Sequence, residues 1–257
     1  MKKIVFALAA LASIVMGGNS YAAEEGKWTF GLDFAGGVSW LGVGDNRKVE
    51  GDGARLKFSP GLLVYRNFGT ENRYSVFSGL NINSYGGWLK GKVDNADIVY
   101  KGTTYPGASF SERVRYNFRE IEVPVGMRLR TGSYGPWRFS FHLNLGLGLT
   151  VLGDAYADDI KINNAVVVEG YEGENFDYSP ALLRMTYGVA LGTEYDLDFV
   201  TLTAKLRYKG SVTNMYFYDH GMFNPGRALN LRVENNYYDK NITFRPSTLE
   251  FVIGALF

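Results

Sequence analysis

The sequence contains no cysteine, only seven prolines and only two histidines in 257 residues. Its 27 Lys and Arg are almost cancelled by 26 Asp and Glu. Without cysteine there are no disulfides, no thiolate metal sites and no cysteine nucleophile. The balanced charge argues against a nucleic-acid partner, because such proteins carry a basic excess. H-E-x-x-H, G-x-S-x-G and phosphate-loop patterns are all missing. After the first two dozen residues no run of 18 apolar residues occurs, so no membrane helix is available. What is plentiful is glycine, 32 residues against a usual level of about 7%. Aromatic residues are plentiful too, at 15%. Glycine and aromatics together, without collagen periodicity, point to a β-protein with a crowded backbone.

The N-terminus reads as an export signal. Lys2 and Lys3 form a charged start, Ile4 to Met16 is an apolar run, and Ser20-Tyr21-Ala22 supplies small residues at the −3 and −1 positions of a cleavage site. Residues 1–22 are therefore expected to be a cleaved signal peptide, and residues 23–257 a single barrel domain. Loss of the two lysines tips the balance slightly to the acidic side.

The rest of the chain alternates with period two. All eight odd positions from Trp137 to Val151 are apolar, and none of the seven even positions between them is. A helix would scatter these residues around its circumference, so the segment is a strand. Seven further segments behave alike, beginning near Trp28, Leu56, Tyr74, Glu120, Leu183, Val200 and Leu249. Short turns rich in Gly, Asn, Asp and Pro (67–73, 131–136, 196–199) take turns with long polar segments (roughly 42–54, 86–112, 153–181 and 216–243). Eight strands with short turns at one end and long loops at the other describe an all-β, antiparallel, up-and-down transmembrane β-barrel. Both termini fall at the short-turn end, the periplasmic side of an outer membrane.

A soluble lipocalin-like barrel has the same alternation with its apolar face inward. Three features favour the membrane. The strand from Trp137 exceeds the 9–11 residues needed to cross a bilayer. Trp28, Tyr74, Trp137, Tyr195 and Phe257 gather on the apolar face at the short-turn end, as an interfacial girdle does. The polar faces combine glycine with charge, as a narrow packed lumen requires. Inward acids are Asp33, Glu120, Glu122, Glu194 and Glu250; inward bases are Lys57, Arg128, Arg138, Arg184, Lys205 and Arg207. Buried charge is costly unless paired, so an ion-pair network filling the lumen is expected, in preference to a gated ion path.

No catalytic, cofactor-binding or metal-binding residue is assigned, and the chain is read as non-enzymatic. His142 belongs to the inward face. His220, with Asp219 beside it and Ser211 nearby, is the one set from which an acyl-transfer site could be assembled, and long polar loops carry Asp and Ser by default. Segment 153–181 holds Asp154, Asp158, Asp159, Glu169, Glu172, Glu174 and Asp177 against Lys161 alone. Without EF-hand spacing it reads as solvated surface rather than a cation site. Tyr216, Phe217, Tyr218, Phe223, Tyr237 and Tyr238 stud the last long segment. They suit either a contact surface for a protein or ligand, or an upper aromatic belt. The reading is a monomeric structural or interaction protein working through its loops. A narrow solute channel and a lipid-modifying enzyme are the alternatives.

With the strands placed, Arg119-Glu120-Ile121-Glu122-Val123-Pro124-Val125-Gly126-Met127-Arg128 resembles the Leu-Glu-Ile-Pro-Leu strand of the PorT-like outer-membrane barrel family common in Bacteroidota. Gly188 to Tyr195 is similar to that family's next glycine-rich strand. Leu206 to Asn214 resembles its Arg-Tyr…Gly-Leu-Thr-Asn segment, with Ser211-Val212 in place of Gly-Leu and Val123 in place of the usual Ile upstream. The resemblance implies the barrel fold, the outer membrane of a Gram-negative cell, and assembly by machinery that reads an aromatic ending such as Phe257. It implies no shared activity, since members differ in their loops.

Overall fold

The computed structural model describes residues 28–44, 49–172, 183–218, 231–233 and 241–257. Twelve strands carry nearly all of them: β1 (Trp28–Val43), β2 (Val49–Gly51), β3 (Ala54–Phe68), β4 (Tyr74–Tyr100), β5 (Thr103–Arg130), β6 (Trp137–Ile162), β7 (Ala165–Glu172), β8 (Leu183–Asp196), β9 (Thr201–Ser211), β10 (Met215–Tyr218), β11 (Leu231–Val233) and β12 (Asn241–Leu256). Eight of them form a ring in the order β1-β3-β4-β5-β6-β8-β9-β12, every neighbour antiparallel. The ladder from Gly31↔Leu256 to Val43↔Phe244 closes β12 onto β1, which leaves the ring without an edge. The expected signal peptide, residues 1–22, lies outside the described residues.

Alternation sets which face is wet. Outward positions of β1 and β12 are apolar and exposed (Phe30, Phe34, Phe251, Ile253), whereas inward Asp33 and Glu250 are buried. This inverts a soluble barrel: the apolar atoms face away from the barrel axis, where only lipid can cover them. The chain is a transmembrane β-barrel of the outer-membrane architecture. On β5 the apolar outward series runs from Leu129 to Ile121 and stops at Arg119. Nine residues at about 3.3 Å each, tilted about 40°, cover roughly 20–25 Å, the height of a barrel's apolar band. At the short-turn end Trp28, Tyr74, Trp137 and Phe257 are exposed, and Trp137 meets Tyr195 edge-on at 4.7 Å, so the expected girdle is present.

The long segments differ from expectation. Segments 86–112 and 153–181 do not form loops across their length, because β4, β5 and β6 continue far above the apolar band and are 27, 28 and 26 residues long. β4 and β5 join through Lys101-Gly102, and β6 and β7 through Asn163-Asn164, all four at positive φ. These are two-residue hairpin turns whose twist suits the flanking strands. β2 and β11 add short pieces to β4, and β10 pairs with β12. Above the membrane the protein is a raised sheet, with strand-pairing satisfying a backbone that a loop would leave to water.

Candidate functional site

The lumen is built by the inward positions of the ring and filled in layers. Near the short-turn end Arg128 and Arg130 both bond Glu194, at 3.2 Å each, while Arg128 also stacks over Tyr65 at 4.3 Å. Above them Lys205 reaches Asp33 at 2.7 Å. Glu250 then takes Lys57 on one oxygen and Arg207 on the other. Lys209 spans both oxygens of Glu122 at 2.7 and 2.8 Å, and Thr186 and Asn81 donate to the same carboxylate. Arg184 grips Glu120 with two parallel bonds of 2.7 and 2.8 Å, the fork-on-carboxylate geometry that only arginine offers. Five carboxylates thus hold seven cations, all with little or no exposure.

The anticipated ion-pair network is therefore present, with two additions and one displacement. Lys209 and Arg130 continue the phase of Lys205 and Arg128, so the signal was in the sequence, one step beyond where each strand was taken to end. Arg138 leaves the network for the mouth, where it pairs with Asp196 at 3.2 Å. Glycine opposite the acids makes the room. A Cβ on Gly148 would sit 2.2 Å from Cδ of Glu120.

An apolar cap, which the sequence reading did not foresee, covers the charged layers. Tyr85, Leu89, Val114, Tyr116, Phe118, Met215 and Phe244 form one buried cluster. Phe118 stacks on Tyr85 at 5.2 Å and on Phe244 at 6.0 Å, and Arg184 lies over the Tyr85 ring at 4.1 Å. Val114, Tyr116 and Phe118 share the inward phase of Glu120, which the segment boundary drawn at 112–120 concealed. Between the two lowest charged layers lies a cavity of about 20 Å³, lined by Asp33, Tyr65, His142, Asn144 and Lys205 among others. That is room for about one water molecule.

The outer face changes character at the top of the apolar band. Directly above Ile121, the outward positions of β5 are Arg119, Asn117, Arg115 and Arg113. Across β4 these face Ser84, Gly86, Trp88 and Lys90. Arg113 bonds Asp52 at 2.6 Å and lies over Trp88 at 4.4 Å. Arg115 contacts the rings of Trp88 at 5.5 Å and Tyr156 at 4.8 Å. The ladder between β3 and β4 ends at Gly61↔Asn81, and the Ser84 hydroxyl bridges the parted strands at Phe58. Arg55 lies in this opening against Gly86. That glycine has φ +152°, and a Cβ there would meet the Tyr116 carbonyl oxygen at 2.1 Å and Cδ of Arg55 at 3.2 Å. Burial first, then the nearby Arg115 and Arg119, hold the Arg55 guanidinium below its ordinary value, while Asp154 acts the other way. Nη1 of Arg55 is buried without a partner.

The sequence matches no protein-family model and no curated protein. The chain is similar to the solved structure of Neisserial surface protein A, at 12% identity and a TM-score of 0.38 over 90% of this chain and 98% of that one. It is similar to Ail, the attachment invasion locus protein of Yersinia pestis, at 12% and 0.36 over 91% and 100%. The outer membrane protease OmpT of Escherichia coli follows at 9% and 0.37 over 93% and 99%. The assignment of fold rests on the strand ladders, and nothing those proteins do is transferred to this chain.

The residues considered for catalysis do not come together in the described part. His142 is buried in the lumen, bonded to Ser140 at 3.2 Å and edge-on to Phe77. The Ser211 hydroxyl donates to backbone carbonyls of Thr213 and Met185. Asp219 and His220 lie outside the described residues, as do Phe223, Tyr237 and Tyr238. Of the acidic run, Asp154 to Glu172 belong to the β6–β7 hairpin. Glu174 and Asp177 lie outside the described residues.

Proposed function

We propose that this protein is a monomeric outer-membrane barrel of structural or interaction type, non-enzymatic and non-conducting, which presents a raised β-sheet to the cell exterior. Its apolar band places it in a bilayer, and the export-like N-terminus and PorT-like strands favour the outer membrane of a Gram-negative bacterium. The termini then face the periplasm, and Phe257 is offered to the barrel-assembly machinery. The observation that carries the reading is the lumen, where layered ion pairs lie beneath an aromatic cap and the cavity between the two lowest layers has room for about one water. A solute path needs a continuous wet column, and here five carboxylates and seven cations that such a column would hydrate are spent on one another.

Two measurements test it. Purified protein in planar bilayers is expected to give no single-channel steps, and steady conductance steps would overturn the plug. Photo-crosslinkers placed at Lys101 and Asn163, the tips of the two hairpins, are expected to trap a partner in intact cells. Tips that stay uncrosslinked while the barrel is surface-exposed would reduce the role to a structural one.

A further inference from the structure

We propose that Arg55, Arg115 and Arg119 form a binding site for the phosphate-bearing headgroup of an outer-leaflet lipid. The site lies on the outer wall of the barrel, at the upper edge of its apolar band. The proposal rests on the outer-membrane reading above, which decides that this edge meets the outer leaflet.

Position is the first argument. Arg119 is the next outward residue after Ile121 on β5, and the β4 residue opposite Ile121 is Ile82, also exposed. A lipid whose chains cover Ile82 and Ile121 brings its headgroup to the height of Arg119. Trp88 and Tyr156 stand just above, at the level where amphipathic rings settle in a bilayer interface.

Pairing is the second. Arg113 has Asp52, and inside the barrel every cation of the network has a carboxylate. Among the described residues no ion pair joins Arg55, Arg115 or Arg119 to a carboxylate. Among the described residues Asp154 faces the cluster, and Asn117 donates to it at 3.5 Å. Three guanidiniums brought together repel one another, an arrangement that gains from a dianion.

Construction is the third. Arg55 is no freely waving surface side chain. It is half-buried in the gap between β3 and β4 and seated on Gly86, and Nη1 is a sealed donor with nothing to bond. Arg55 is thus held in place beside two arginines that have no ion pair among the described residues, so a guanidinium cluster is fixed in position before any anion arrives. Arginine forks suit phosphate oxygens in a way that lysine does not. Arg115 is already oriented by its contacts with Trp88 and Tyr156.

The test uses the full chain folded into phosphatidylcholine vesicles, with the temperature at which its heat-modifiable gel band converts as the readout. Doping the vesicles with bisphosphorylated lipid A is expected to raise that temperature by roughly 5–10 °C, the effect of a ligand near a hundred times its Kd on a chain of this size. Dephosphorylated lipid A is expected to give no rise. R55Q/R115Q/R119Q is expected to lose the rise while keeping its band shift in plain phosphatidylcholine. R119Q alone, at an exposed position, is expected to lose part of it and serves if the triple variant does not fold. K92Q, elsewhere on the raised sheet, is expected to respond as the unmodified protein does. Three outcomes overturn the site: an undiminished rise in the arginine variants, an equal rise with dephosphorylated lipid, or the same rise from inorganic phosphate alone. A protein with no heat-modifiable band in any vesicle would instead remove the barrel reading beneath it.

Discussion

Arg119 and Glu120 are neighbours in the chain and belong to two different electrostatic worlds. Glu120 points into the lumen, fully buried, and meets Arg184 in a bidentate pair. Arg119 points out, at the edge of the apolar band, and shares its surroundings with two other arginines. In the narrow lumen water is scarce, so an unpaired charge costs several kcal/mol, and each cation has been given its carboxylate. On the rim, water and headgroups screen like charges, so a cluster of one sign is tolerated and is free to bind something. Charged residues in this barrel therefore hold it together inside and are available for recognition outside.

The largest expected effect breaks a lumen pair. Glu250→Gln strips Lys57 and Arg207 of their shared carboxylate, and a loss of about 3–5 kcal/mol is expected from denaturant midpoints in vesicles. A loss below about 1 kcal/mol would mean that the lumen is wet enough to behave like the rim. Phe118→Ala removes the centre of the aromatic cap and is expected to cost about 3 kcal/mol. Its bilayer conductance should stay at zero, because the ion-pair layers beneath it still fill the bore; current in this variant would assign the seal to the cap. Replacing Lys205 and Asp33 together by Met and Leu keeps the volume and removes both charges. Stability within about 1.5 kcal/mol of the parent is expected, against a larger loss for Asp33→Leu alone. The smallest effect belongs to the rim. In detergent without anionic lipid, Arg115→Gln and Arg119→Gln are each expected to change stability by less than about 0.5 kcal/mol in the same denaturant assay. A penalty matching that of Glu250→Gln would erase the distinction between the two faces.

Much of this was legible beforehand because a strand has a period of two and the barrel uses both phases. Trp137 to Val151 announces a lipid-facing strand residue by residue, and Asp33, Lys57, Glu120 and Glu250 announce a charged interior. Harder to see was where strands end. Above the bilayer the outward face turns polar, so the apolar signal fades although pairing continues. Lys101-Gly102 and Asn163-Asn164 were the available clues to hairpins. The aromatic cap was hidden for the same reason, since Tyr116 and Phe118 keep the inward phase in a stretch that otherwise reads as loop. The rim site was not legible at all. Arg55 comes from a different hairpin than Arg115 and Arg119, and its place beside them depends on the strands parting at Ser84.

By itself the sequence determined the class of object: alternation and the eight ring strands follow from local geometry, and strand length, the aromatic girdle and the mix of glycine with charge told which phase faces lipid. Only the tertiary structure decided which acid meets which base, that stacked rings cover the charged layers, and that Arg55 lies beside Arg115 and Arg119 of a different hairpin. Those outcomes depend on register and shear around a closed ring, which place residues from different strands at one height, and no local pattern encodes that.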